Sequence, residues 1–130
     1  MALAFTRTLF AAIATTTVNS AATALSAEND GGDNTIFEQI RAFLTVTGFA
    51  AAPVGNMQIG LCPLHTSSGT VFDDNVAYAV FTVSADVQYD FSVPVSQMPR
   101  FCKVAVFNNT NQNTDASAVS AWIEYTKVTA

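Results

Sequence analysis

The chain has 130 residues, half of them apolar and only 12% charged, with a net charge of −5. A typical soluble domain is about 25% charged, so much of this surface is neutral and costs little to desolvate when it docks. The five basic residues, Arg7, Arg41, Arg100, Lys103 and Lys127, form no stripe, which argues against direct nucleic-acid contact, and no apolar run reaches the ~18 residues of a membrane-spanning helix.

The N-terminal stretch allows two readings. Arg7 precedes an apolar run over residues 9–14, an Ala22-Thr23-Ala24 triplet follows, and no acid appears before Glu28. That is the form of an export leader. It is equally the form of a retained apolar arm, which a surface would have to hold because free chain ends are mobile. Leu3, Phe5 and Leu9 alternate with Ala and Thr, as in an extended strand, although Leu9, Phe10 and Ile13 also share one helical face. The threonines, stiff at χ1, favour the extended form. Residues 28–34, rich in Asp, Asn and Gly, read as a flexible acidic linker. Residues 1–34 are therefore expected to be arm and linker, and residues 35–130 a β-sandwich domain.

From residue 36 onward the pattern is β. Residues 36–47 carry apolar groups on both alternating sets, which suits a strand buried on two sides. Gly48 and then Pro53, Gly55 and Asn56 punctuate. Met57, Ile59 and Leu61 share a face of the next strand, which Pro63 ends. Residues 66–70 and 73–75 are turn-rich. Residues 76–84 are apolar on both faces and read as a central strand. Residues 87–96 alternate apolar with polar as a half-exposed strand, and Pro94 puts its end at a sheet edge. Residues 101–107 form another strand, 108–117 a polar loop, and 118–128 the last strand, with Val119, Ala121, Ile123 and Tyr125 on one face and Trp122 on the other. Six or seven strands about ten residues apart predict an antiparallel β-sandwich or jelly roll with an N-terminal extended arm.

Chemistry-bearing groups are sparse. His65 is the one histidine and follows Cys62-Pro63-Leu64; a strand ended by proline does not bring Cys62 and His65 onto one helical face, so a loop imidazole is the plainer reading. Three Cys and His residues in total fall short of a zinc site. Asp30 with Asp33, and Asp73 with Asp74 and Asn75, offer oxygen ligands but do not match a calcium loop. Asp73 and Asp74 are adjacent, and neighbours on a strand point to opposite faces, so they do not suit a glycosidase pair. Cys62 and Cys102 stand as a possible disulfide or, more plainly, as two buried thiols. Asn108-Asn109-Thr110 matches the N-glycosylation pattern. Trp122 suits core packing, an aromatic sugar platform or a subunit contact. No catalytic set, cofactor or metal is expected.

Three stretches carry a resemblance: residues 67–74, with Ser67, Ser68, Gly69 and Phe72; residues 98–110, with Pro99, Arg100, Phe101 and the Asn108-Asn109-Thr110 end; and residues 121–125, with Trp122 and Tyr125. Together, over roughly residues 55–128, they resemble a type of small virion protein of tailed bacteriophages. Ser68 stands where an Asp often precedes the turn glycine, and Asn111-Gln112 replaces the usual glycine after Asn-x-Thr. The resemblance implies a non-enzymatic virion protein, either a capsid cement or decoration subunit or a neck or tail component. The expected location is the capsid surface. The expected partner is a major capsid protein or another virion protein, with a homo-oligomer or symmetric array and neither nucleic acid nor membrane. Leu3, Phe5, Leu9, Phe10, Ile13 and Trp122 are the expected interface residues. A secreted carbohydrate- or surface-binding module that keeps its leader is the competing reading.

Overall fold

The computed structural model describes residues 4–9, 13–27, 29–30, 35–63, 76–95 and 101–129. Among them every regular element is a strand: β1 (Ala4–Leu9), β2 (Ile13–Thr16), β3 (Thr23–Leu25), β4 (Asn29–Asp30), β5 (Thr35–Val46), β6 (Gly55–Pro63), β7 (Val76–Val83), β8 (Tyr89–Pro94), β9 (Phe101–Thr110) and β10 (Val119–Thr129). They form two antiparallel sheets. One runs β1-β10-β5-β8 with β2 beside β10, and the other runs β3-β9-β6-β7 with β4 beside β9.

The pairing has a simple logic. The first half of the chain lies antiparallel to the second: β1 and β2 pair with β10, β3 and β4 with β9, β5 with β8, and β6 with β7. One long ribbon is thus rolled into two sheets, the connectivity of a jelly roll. The expected all-β sandwich or jelly roll is the observed architecture.

The expected extended form of the N-terminal stretch also holds for its described strands. β1 and β2 share one edge of β10, and β3 and β4 share one edge of β9, so the chain changes sheets between residues 16 and 23. Ile13 and Val18 are buried in the same core as the strands that follow residue 35. Asn29 and Asp30, expected within a flexible linker, pair with Cys102 and Phe101.

The core lies between the sheets. From one sheet it takes Ile40, Ala42, Leu44, Val46, Val119, Ala121, Ile123 and Tyr125, and from the other Met57, Ile59, Leu61, Val83, Cys102, Val104 and Val106. These are the alternating apolar positions, and each fully buried large side chain contributes about 1.5–3 kcal/mol. β5 departs from the expectation of two buried faces: Ala42, Leu44 and Val46 are buried, whereas Arg41 is exposed and Phe43 and Thr45 are half-buried. A bulge lies between the partners of Glu124 and Thr126, and Gln39 there has φ 50°. The extra residue interrupts the alternation, which leaves Glu38 exposed where a continuous strand would turn it into the core.

β7 differs more. Its apolar pattern on both faces reads as a central strand, yet it is an edge, paired only with β6 among the described residues. The open side between β7 and β8 is closed by aromatics: Phe81 stacks on Phe91 at 4.1 Å between centroids, Phe91 on Tyr89 at 5.5 Å, and Tyr89 meets Phe49 edge-on at 6.4 Å.

The connections at residues 17–22, 47–54, 84–88 and 111–118 cluster at one end and are tied to each other. Ala50 N donates to Asn113 O at 2.9 Å, Thr114 N to Val18 O at 3.1 Å, and Phe49 N to an Asp86 carboxylate oxygen at 2.8 Å. Tyr89 Oη accepts from Ser84 N and Ala85 N, and these two bonds to the phenol oxygen hold its pKa below the usual value.

Candidate functional site

The outer face of the β1-β10-β5-β8 sheet is built by alternation. Ala121 and Ile123 are buried in the core, so Trp122 between them turns outward; Ala42 and Leu44 do the same for Phe43. The register places Trp122 directly opposite Phe43. Their rings stack at 5.2 Å between centroids with planes 12° apart, and both side chains are half-buried. Phe43 in turn pairs with Ser92 of β8, so a row of Trp, Phe and Ser crosses the middle of the sheet.

Polar rows flank this pair. On one side the register aligns Ser120, Thr45 and Asp90. Asp90 accepts from Thr45 Oγ1 at 2.8 Å and from Gln88 Nε2 at 3.2 Å. On the other side Glu124 is aligned with Arg41, whose Nε donates to Ser92 Oγ. Beyond them Thr126 Oγ1 donates to Gln39 Oε1 at 3.1 Å. The result is an aromatic ridge on a stiff sheet, bordered by hydroxyl, amide and charged groups, several of them held in place by hydrogen bonds. Such a surface binds by burying ring area and by matching a few fixed hydrogen-bond groups, which is the anatomy of an interface hot spot.

The other expected interface residues are placed differently. Leu3 and Phe10 lie outside the described residues. Phe5 and Leu9 belong to β1, where their backbones pair with Val128 and Glu124 of the same chain. Ile13 is only 6% exposed, and it is the chain's own core that takes it up rather than a partner surface. Its register partner Ala121 is a core residue, and an apolar side chain in that row is drawn inward. Phe43 was missed at the sequence level. Its alternation signal was legible, but its meeting with Trp122 depends on the β5–β10 register, which no local pattern states.

The remaining candidates divide in the same way. His65, Asp33, Asp73, Asp74 and Asn75 lie outside the described residues. Among the described residues no three His, Cys, Asp or Glu side chains converge as a metal site requires. Cys62 and Cys102 are both buried and are not joined as a disulfide. Cys62 pairs with Lys103 and Cys102 with Pro63, so the thiols sit on adjacent rungs, and alternation sends adjacent rungs to opposite faces. Burial, and then the neighbouring Cys62, push the Cys102 thiol up to about 12.

Asn108, in the glycosylation-like triplet, is fully buried and donates both amide protons, to Val18 O and Gln112 O. A side chain so engaged is a structural anchor. It also explains why β9 runs on to Thr110, where the polar sequence suggested a loop.

The sequence matches no protein-family model, and no curated protein matches it.

Proposed function

We propose that the protein is a non-enzymatic structural protein of a tailed-phage virion. Its role is that of a cement or decoration subunit, which stabilises the shell by bridging major capsid proteins at the capsid surface. The observation that carries this reading is the Phe43–Trp122 stack on an exposed sheet face of a sparsely charged jelly roll. An aromatic centre loses little solvation on docking, its flanking charges lie at the rim, and repetition over a symmetric shell multiplies each weak contact. The resemblance of residues 55–128 to small virion proteins supports the same role. Fold alone does not assign it, since jelly rolls serve many functions.

The test is shell binding by Trp122→Ala. Truncating an aromatic at the centre of an interface costs about 2 kcal/mol, roughly a thirtyfold loss of affinity. The melting temperature should fall by only a few degrees, because Trp122 lies outside the core and the variant loses one cross-strand stack. Unchanged affinity for purified shells would sink this use of the surface. A position on a neck or tail ring is the alternative assembly role, and imaging of labelled particles separates the two.

The aromatic ridge also favours a second reading, a carbohydrate- or surface-binding module. Rings bordered by Ser92, Thr45 and Asp90 suit stacking against a sugar with hydrogen bonds at its rim. Binding on a glycan array that is lost in Trp122→Ala, with no binding to shells, would favour it over the virion role.

A further inference from the structure

β7 presents a mismatch between what its sequence requires and what the fold provides. Val76-Ala77-Tyr78-Ala79-Val80-Phe81-Thr82-Val83 contains no charge, no proline and no glycine. Apolar residues on both faces suit a strand covered on both faces, and edge strands usually interrupt such a run with charge or proline. Here β6 is its one pairing partner among the described residues, and Val80 remains 57% exposed.

The other three sheet edges are each defended. β8 ends in Pro94 and carries Asp90 on its outer face. The β1/β2 edge is divided between two strands and includes Arg7. The β3/β4 edge consists of strands of three and two residues. Charges, proline, short strands and breaks are the devices that stop an edge from pairing with another chain. β7 has only a bulge, set by the register shift between Ile59 and Gly60, and the stretch Ala79–Val83 beyond it is regular.

We propose that β7 is a self-association edge, where two copies of this chain pair β7 to β7 in antiparallel fashion about a two-fold axis. A strand without charges can face its own copy with no like-charge repulsion. A two-fold contact uses both open edges at once and closes the assembly as a dimer. Pairing β7 head-to-tail with any other edge would require one of the three defended ones. The register is restricted as well. Ala79, Phe81 and Val83 are aligned with Ile59, Met57 and Gly55, respectively, on the side that faces the core. A joined sheet with both cores on one side must therefore pair inward residues with inward residues. Centring on Val80 satisfies this, with Val80 opposite its own copy on the outer face and Ala79 opposite Phe81 on the inner face. The outer rows Thr23, Phe107, Gln58 and Val80 then continue across the axis into the second copy. This contact is separate from the Phe43–Trp122 face, so it does not rest on the virion reading.

The experiment is sedimentation velocity on the full chain, its Val80→Lys variant and its Val80→Cys variant. Wild type should sediment at twice the chain mass. Val80→Lys, which sets two ammonium groups against each other at the axis, should weaken the dimer at least tenfold and leave the far-UV spectrum unchanged. Val80→Cys should form a covalent dimer on mild oxidation, whereas Val87→Cys, exposed but off the edge, should not. If Val80→Lys fails to fold, the cysteine pair decides the matter. A monomeric wild type, a dimer that a folded Val80→Lys leaves intact, or equal cross-linking at positions 80 and 87 would each overturn the proposal.

Discussion

Asn108 and Asn109 are adjacent and chemically identical, yet replacing each by alanine should have very different consequences. Asn108 is fully buried, and its amide uses all of its hydrogen-bonding capacity. Nδ2 donates to Val18 O and Gln112 O, each at 2.9 Å; Oδ1 accepts from Thr110 N at 3.0 Å and Thr110 Oγ1 at 2.7 Å. Asn108→Ala removes all four bonds, each with a net contribution of about 0.5–1.5 kcal/mol. The abandoned acceptors find other donors: Val18 O still receives Thr114 N, and the single Thr110 Oγ1 proton, released from Asn108 Oδ1, can turn to Gln112 O. Thr110 N is left without that partner. Weighing these, the loss is about 3 kcal/mol, a large part of the ~5–15 kcal/mol that holds a domain together. Asn109 is exposed, and its one side-chain bond, to Asn56, is 3.4 Å long, so Asn109→Ala should stay within about 0.5 kcal/mol of wild type. In urea, with a slope near ~1.5 kcal/mol per molar, the Asn108→Ala midpoint should fall by about 2 M and the Asn109→Ala midpoint hardly at all. Asn108→Asp keeps the shape but turns two donors into acceptors facing carbonyl oxygens, so it should be at least as damaging as alanine. Coincident midpoints for the two alanine variants would refute the buried-network reasoning.

Further outcomes follow from the same structure. Gly55 has φ 132°, and a Cβ there would run into the Asn109 carbonyl, so Gly55→Ala should cost roughly 3 kcal/mol, read from the same urea curves. The raised Cys102 pKa, about 12 in the fold, means that the unfolded thiol loses its proton first as pH rises. The stability associated with the protonated thiol is complete below the ordinary thiol value of 9.0 and declines as pH climbs toward about 12; Cys102→Ala should flatten that decline, and a slope identical to wild type would contradict the assignment. Both native thiols should resist alkylation until the chain unfolds, since burial shields them from the reagent. A chain beginning at Leu25 lacks the buried Ile13 and Val18, together worth about 4 kcal/mol of burial. It also lacks the Val18 N bond to Thr114 Oγ1, so its thermal melt should lose cooperativity. A sharp transition near that of the full chain would show that the segment is dispensable.

Strands after residue 55 were legible where one periodicity dominated. Met57, Ile59 and Leu61, and likewise Val119, Ala121, Ile123 and Tyr125, are buried on the faces that their alternation states. Three features were not legible, for different reasons. The N-terminal stretch is poor in large apolar residues and rich in threonine, so its strands are short, and nothing local says that β10 and β9 are their partners. Asn108 and Thr110 carry polar side chains that satisfy each other inside the structure, and polarity by itself predicts a loop. β7 reads as central because its two faces are apolar, but face composition reports what a strand requires, not which neighbours lie in its own chain. The candidate surface was half legible. Trp122 could be assigned to the outward face from its neighbours, whereas its stacking on Phe43 required the register between β5 and β10.

The proposed role as an assembly subunit of a virion is tested most directly by cryo-electron microscopy of purified particles, with the chain identified in the same fraction by mass spectrometry. Symmetric copies should stand on the shell, each fitted by the two-sheet body and oriented with the Phe43–Trp122 face against a capsid protein. Particles that lack the chain, or shells whose surface density has no place for it, would contradict that claim.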